Sequence, residues 1–585
     1  MKNVAARHGL IRLVRTFIRP YTWQAFLVVD VLAFQAIESL LLPDLYADII
    51  NNGVLMGNTT YIWRTGCIML AIIVLIGLTG VVAAYFGERL VIGITADLRA
   101  AVYRRVRAFS PQEVHRFGIP SLITRNTNDA DHVGMFVSIL VSLLVPAIVT
   151  CVGGVIMAIR ESAALSLLLV VAVPLIAVAA TVLATQLVPL LRLTQTRYDR
   201  INQVLREQIT GVRVIRAFGR TRAEQNRFRT VNTDITRISV RIFRIYAVAI
   251  PALTGVFSLA LVCVVWFGGR LVTEGDIPIG NLAAFLAYIM QILAAILVSI
   301  SIIMQVPRAM ASAERIGQVL DTVPSIGDPE HPTTPADDGG GVEFRHVTVR
   351  YPGSEHPVLR DLAFVTSPGQ TTAITGSIGS GKSTLLNLIA RFIDPTSGVV
   401  LVNGTDVREQ SHEQLWSTIG LVPQRPFLFR GTVASNLRLG APEASDEQLW
   451  RALDIAQATD FVASMPGQLD APIDQGGTNV STGQRQRLCV ARALVRRPPL
   501  YLFDDCFSAL DAATEARLRA ALGAETEGAT TVIVAQRIDA IRHADQIIVL
   551  DAGNITGIGT HEELLADCAA YREMAISQLG EDIAA

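Results

Sequence analysis

The chain has 585 residues, of which 51% are hydrophobic and 17% charged, and its mean hydropathy of +0.42 exceeds that of an ordinary soluble chain, so part of it belongs in lipid. A net charge of −1 creates no field that would gather a polyanion, and nucleic acid is not an expected partner. Cys67, Cys151, Cys263, Cys489, Cys506 and Cys568 form no C-x-x-C pair, which argues against a disulfide framework and a zinc site and leaves them as small apolar fillers.

Residues 7–20 (RHGLIRLVRTFIRP) alternate arginine with Leu, Ile, Val and Phe at helical spacing, which predicts an amphipathic helix on the cytoplasmic leaflet, ended by Pro20. No short apolar run with a small-residue cleavage site precedes it, so no removable signal is expected. Apolar segments follow at 23–49, 66–87, 133–159, 163–187, 246–273 and 280–305, each near or above the ~20 residues that span hydrocarbon. Asp30, Glu38 and Asp44 interrupt the first. A carboxylate in a span is costly; it faces a cavity, where Glu38 could meet substrate, or pairs with another helix, or, for Asp44, lies at the interface.

Arginines crowd the connections at 88–132 and 192–244 and are sparse in the other turns, which makes the two long connections cytoplasmic. Both keep apolar periodicity, for example Ile201, Val204, Leu205, Ile209, Val212 and Ile215, so the spanning helices are expected to continue beyond the bilayer. A short transverse helix is expected at each tip, near 116–131 and 217–228, suited to docking on another domain. Residues 324–341 are rich in Pro, Gly and Asp and mark a linker. The stretch from Val342 onward is long enough for an α/β domain with a helical subdomain.

That second part centres on residues 376–384, GSIGSGKST, placed between a short apolar run and a helix-like segment. Gly376, Ser377, Ile378, Gly379, Ser380 and Gly381 form the turn whose backbone N–H groups can converge on an anion. Lys382 is placed for β- and γ-phosphates, and Ser383 and Thr384 open the helix, with the Ser383 hydroxyl on Mg²⁺. Lysine occurs only at positions 2 and 382, which sharpens the assignment. Gln424 follows an apolar run and could bind Mg²⁺ or the attacking water. Asp504 and Asp505 end the strand-like run 500–503, and Asp504 is the candidate holder of the metal. Gln536 ends a further run and should come near the γ-phosphate.

In this order the pieces resemble an ATP-binding-cassette half-transporter of the exporter fold, over essentially the whole chain. The resemblance rests on Tyr351 where an aromatic stacks on adenine, GSIGSGKST, Gln424, the signature Val480 with Ser481, Thr482, Gly483 and Gln484, the strand YLFDD at 501–505, and the run Ser508 to Asp511. It implies an all-α membrane domain of six long transmembrane helices followed by an α/β P-loop nucleotide-binding domain with a helical subdomain. The expected boundaries are an amphipathic elbow helix at 1–20, the membrane domain at 21–322, a linker at 323–341 and the nucleotide-binding domain at 342–585. It also implies a multi-pass protein of the plasma membrane with a cytoplasmic ATP-binding domain, ATP and Mg²⁺ as ligands, a second half-transporter as partner, contact with membrane lipids, and a hydrophobic or amphipathic cargo.

Three positions depart from the family pattern. Asp505 stands where the family has a glutamate, Gln536 where it has a histidine, and Gln475 where exporters commonly carry a glutamate. With Thr482 in the signature, these departures are similar to the degenerate-site subunit of actinobacterial heterodimeric exporters. Asp505 and Gln536 then mark a weak catalytic pair, while Ser481 to Gln484 complete the partner's site. A homodimer using Asp505 as a slow base, an importer of a lipid or siderophore on the same fold, and an ATP-gated regulatory membrane protein are the alternatives.

Overall fold

The computed structural model describes residues 2–335 and 339–579. Residue 1 of the expected elbow, residues 336–338 of the expected linker and residues 580–585 of the expected soluble domain lie outside the described residues. Two compact units emerge, one of residues 1–107 and 118–323, the other of residues 108–117 and 324–585.

The first unit is helical throughout. Hydrocarbon offers no hydrogen-bond partner, and a helix satisfies its backbone within the segment, so the apolar runs adopt it. Helices Lys2–Ile18, Thr22–Asp48, Thr59–Arg107, Val145–Glu161, Ala163–Thr210, Thr221–Glu274 and Ile279–Asp321 carry the unit, and among the described residues six helical stretches are long and apolar enough to cross a membrane. The 49 residues of Thr59–Arg107 rise ~70 Å, more than twice the ~30 Å of hydrocarbon, so the helix runs well past the bilayer. Pro20 lies in the 3-10 turn Arg19–Tyr21, two residues beyond the end of the first helix at Ile18.

Short helices do stand at the tips, Pro111–Phe117 and Ile119–Thr124 in the first connection and Val212–Ala217 in the second. The second tip lies earlier than the expected 217–228, because Gly219 adopts a left-handed φ of +63° and the long helix has resumed by Thr221. The first tip also divides differently from the expected 21–322 domain. Glu113 accepts hydrogen bonds from Ser110 N at 2.8 Å, Ser110 Oγ at 2.6 Å and Ser325 N at 3.3 Å, which ties residues 108–117 to the chain after Pro324. Burial pushes the Glu113 carboxyl up, and these donors outweigh it, so its pKa falls below the ordinary range.

Polar contacts of long sequence separation hold the first unit together at its arginine-rich end. Asp129 is 1% exposed, and its carboxylate accepts from Ser312 Oγ at 2.9 Å and Arg315 Nε at 2.8 Å. Arg125 donates to Arg315 O at 3.0 Å and to Gln318 Oε1 at 3.2 Å. The turn Arg125–Asp129 is thereby clamped to the last turns of Ile279–Asp321.

The second unit is built on two large sheets and a two-stranded one, β7 (Gly431–Thr432) with β8 (Pro472–Ile473). Strands β1 (Val342–Val349), β2 (Leu359–Thr366), β4 (Ser397–Val402) and β5 (Thr405–Asp406) form one in the order β2-β1-β4-β5. The other has the order β12-β11-β3-β10-β9-β6, from β3 (Thr371–Gly376), β6 (Ile419–Val422), β9 (Leu500–Asp504), β10 (Thr530–Val534), β11 (Gln546–Asp551) and β12 (Asn554–Gly559). All its pairs are parallel except β11 with β12, and the parallel strands are the near-continuous apolar runs expected when both faces are covered. Helix Lys382–Ile389 packs into the core between the two sheets, and a separate core joins Asp446–Ile455, Thr459–Ser464 and Thr482–Arg496. This is the α/β domain with a helical subdomain.

Replacing Asp129 with Ala is expected to destabilise the membrane unit by about 2–4 kcal/mol, the low side of a broken buried pair, because the Arg315 side chain stays 44% exposed. A detergent-solubilised sample should show it as a lowered unfolding midpoint, and an unchanged midpoint would show that the clamp is idle.

Candidate functional site

The parallel sheet brings the sequence-predicted residues to one edge. Ile374 of β3 pairs with Val534 of β10, Val534 with Asp504 of β9, and Phe503 with Val422 of β6. Since parallel strands end together, the residues at or just past their ends, 376–381, Gln424, Asp504, Asp505 and Gln536, gather at the carboxyl edge, where open α/β sheets bind ligands.

The loop after β3 depends on glycine at two positions. Gly376 has φ +145°, and a Cβ there would stand 1.9 Å from Leu550 O; Gly381 has φ +102°, and its Cβ would meet Leu359 at 2.4 Å. Lys382 is the first residue of Lys382–Ile389, and its Nζ donates to Gly376 O and Ser377 O, both at 2.8 Å, across the turn. Burial lowers its pKa, with Asp505 and Asp504 opposing. The loop is anchored from the next strand, as Ser377 Oγ donates to Asp551 Oδ1 at 2.9 Å.

Ser383 Oγ donates to Asp504 Oδ1 at 3.1 Å, so two of the three expected metal holders already touch. Burial pushes the Asp504 carboxyl up, Ser383 and Lys382 pull it down, and Asp505 adds to the rise. Asp505 sits in a left-handed backbone, φ +48°, with its N–H on Val534 O at 2.9 Å. Both amides named from the sequence converge on it: Gln424 Nε2 donates to Asp505 Oδ2 at 3.4 Å and Gln536 Nε2 to the same oxygen at 3.5 Å. Burial raises the Asp505 carboxyl as well, against the Gln424 hydrogen bond and Lys382.

Tyr351 reaches the loop helix, its hydroxyl 3.2 Å from Thr384 Oγ1. The signature residues bond to each other. Ser481 caps Thr482–Arg496 and accepts from Gln484 N at 3.2 Å, while its own N–H donates to Gln484 Oε1 at 2.9 Å, a capping box that leaves a helix N-terminus on an exposed surface. Thr482 is exposed, and a Cβ on Gly483 would lie 3.3 Å from Ala509 O. Asp511 caps Ala512–Glu525 through Thr514 N at 2.9 Å, and this backbone N–H holds its carboxyl below the ordinary range.

Several supports were not legible in sequence. Gln486, 2% exposed, donates to Asp505 O at 3.4 Å. Arg537 pairs with buried Glu515 at 2.8 Å. Gln578 donates to Gln536 O at 2.9 Å and accepts from Ile538 N at 2.8 Å, tying helix Ala569–Leu579 to the segment that follows β10. The glutamine, a common surface residue many positions away, gives no sequence signal.

A loop that excludes side chains, a lysine ammonium folded over it, and a hydroxyl–carboxylate pair beside it suit a Mg²⁺-bound polyphosphate. Comparison with known proteins agrees. The ABC transporter transmembrane region matches residues 26–296 and the ABC transporter domain residues 359–508. An uncharacterized ABC transporter ATP-binding protein of Mycobacterium tuberculosis is 44% identical over 573 residues, covering 97% of this chain and 98% of that protein. A fatty acid ABC transporter ATP-binding/permease protein of the same species is 34% identical over 479 residues, covering 80% and 75%. The structure of a bacterial Atm1-family ABC exporter with ATP bound superposes with a TM-score of 0.79 at 22% identity, covering 96% of this chain and 99% of that one, a likeness of fold. Six spanning helices ahead of one ATP-binding domain make this a multi-pass membrane protein whose ATP-binding domain is cytoplasmic, and the chain belongs to the ABC transporter family as a half-transporter of the exporter type.

Proposed function

We propose that this chain is the nucleotide-holding half of a heterodimeric exporter that moves a hydrophobic or amphipathic cargo, a drug or a lipid, across the plasma membrane. The observation that carries this reading is the environment of Asp505. Its carboxylate is one methylene shorter than the glutamate of the family pattern, its oxygen is engaged by two neutral amides, and one of these, Gln536, stands where the family pattern has an imidazole. A general base must come within ~2.6–3.2 Å of its water, and Asp505 is held back on Gln424 and Gln536.

Bound ATP supplies the free energy of its phosphoanhydride bond, with Mg²⁺ as counter-ion. On this chain Lys382 and the 376–381 backbone hold the phosphates, Ser383, Gln424 and Asp504 hold the metal, and Tyr351 lies beside the loop helix for the base. Gln536 offers a hydrogen bond without the charge an imidazolium would bring. Ser481 to Gln484, with Asp511, present their helix N-terminus and carboxylate outward, where they complete the site of a second half-transporter. That partner supplies the glutamate and the histidine. A closed state of the pair is favoured only through tighter binding of nucleotide to it than to the open one. The fatty acid named for one relative supports a cargo with a long apolar tail and says nothing of the head group this chain takes.

Asp505→Asn in the assembled pair is expected to change ATP turnover by less than about twofold, whereas removal of a working general base costs ~10²–10⁴-fold; a loss of that size would sink the degenerate-site reading. The same substitution carries a stability sign. Because burial raises the Asp505 pKa in the folded protein, ionisation opposes folding, and the contribution present in acid is lost as pH rises through the folded value. Asp505→Asn should therefore raise the unfolding midpoint at neutral pH, a gain that vanishes below the ordinary aspartate range of ~3.9. Lys382→Ala removes a charged donor worth about 1.5–3 kcal/mol, and equilibrium binding of radiolabelled ATP to this chain should weaken by ~10–100-fold.

A further inference from the structure

Between residues 22 and 58 the chain carries Asp30, Glu38, Asp44 and Asp48 and no Lys or Arg, and the apolar stretches 65–87, 133–159, 163–191, 245–269 and 279–307 carry neither acid nor base. The fixed charge that this half-transporter places within its spans is negative and rests on its first spanning helix. Asp44 is hydrogen-bonded to Glu161, with Arg160 beside it, and so is engaged locally. Glu38 is different.

Glu38 is 4% exposed. Its Oε2 lies 3.3 Å from Thr79 Oγ1, but that hydroxyl has a single proton and closer acceptors, Leu75 O at 2.9 Å and Ile76 O at 3.1 Å. The Glu38 Oε1 is enclosed and meets no donor among the described residues. On the helix Ile279–Asp321, which packs against Thr22–Asp48, the Gln291 Oε1 is likewise enclosed without a donor among them, while its Nε2 reaches Ser39 O at 3.5 Å. Each of these two helices thus encloses a side-chain acceptor that no donor among the described residues meets. An unmatched carboxylate oxygen removed from water costs several kcal/mol of desolvation, and the group that relieves it brings N–H donors and positive charge.

Resting on the transport reading above, we propose that Glu38 is a specificity-determining residue that binds the ammonium head of a cationic amphiphile, with the apolar spans taking its tail. Among the described residues the 3.3 Å contact with Thr79 is the one polar contact of its carboxylate. A carboxylate-headed amphiphile meets repulsion from Glu38 and finds no basic residue within these spans.

The test uses the full-length chain with its partner subunit in lipid nanodiscs, and three amphiphiles of equal tail: dodecylammonium, dodecanol and dodecanoate. Binding is read as the shift of the unfolding midpoint without nucleotide, and coupling as ATPase stimulation. Dodecylammonium should act at about tenfold lower concentration than dodecanoate, the equivalent of ~1.4 kcal/mol, and Glu38→Gln should erase that preference while leaving the response to dodecanol in place. Equal responses of the wild-type pair to dodecylammonium and dodecanoate overturn the proposal, and this arm needs no variant to fold. A preference that survives Glu38→Gln in a monodisperse sample overturns it as well. If dodecylammonium shifts the midpoint through Glu38 but no amphiphile alters ATPase activity, the transport reading fails and the site stands.

Discussion

The parallel register of β3, β10, β9 and β6 is the constraint on which the ATP-binding site depends. Neighbouring parallel strands must end at a common edge, and here the glycine loop, two aspartates and two glutamines follow directly from those ends. No side chain has to reach far. The loop after β3 is short because its glycines accept left-handed backbone, and Lys382 can therefore fold over the turn it has just left.

That geometry also explains why Asp505 is crowded. Its left-handed backbone and the hydrogen bond from its N–H to Val534 fix where its carboxylate starts, and a side chain with one methylene has little freedom beyond that. Gln424 from one neighbouring strand end and Gln536 from the other flank it. The same edge thus gathers a Ser383–Asp504 pair suited to a metal and an Asp505 screened by amides, two carboxylates adjacent in sequence with different surroundings.

Much of this was legible in the sequence because the signals are local. The six apolar runs, the arginine-rich connections and GSIGSGKST each lie within one segment, and each chemical role follows from spacing along it. The Asp129 clamp was not legible: its partners Ser312 and Arg315 lie 183 and 186 positions away, and nothing local distinguishes this aspartate from its neighbours Asn126, Asn128 and Asp131. Residues 108–117 read as membrane part for the same reason, since Ser325, which binds Glu113, is beyond the last span. The second tip was displaced by a single left-handed glycine, too fine a feature for periodicity. Within the site, the approach of Gln424 and Gln536 to one oxygen needed the strand order, and the tie from Gln578 needed the path of the final helix.

The scarcity of lysine has a practical consequence. Lys382 is buried, hydrogen-bonded to two carbonyls and of lowered pKa, and apart from Lys2 and the terminal amine it is the one primary amine in the chain. Amine-selective labelling followed by peptide mapping would therefore read the accessibility of the phosphate loop alone, in a protein that needs no added chromophore and no engineered cysteine.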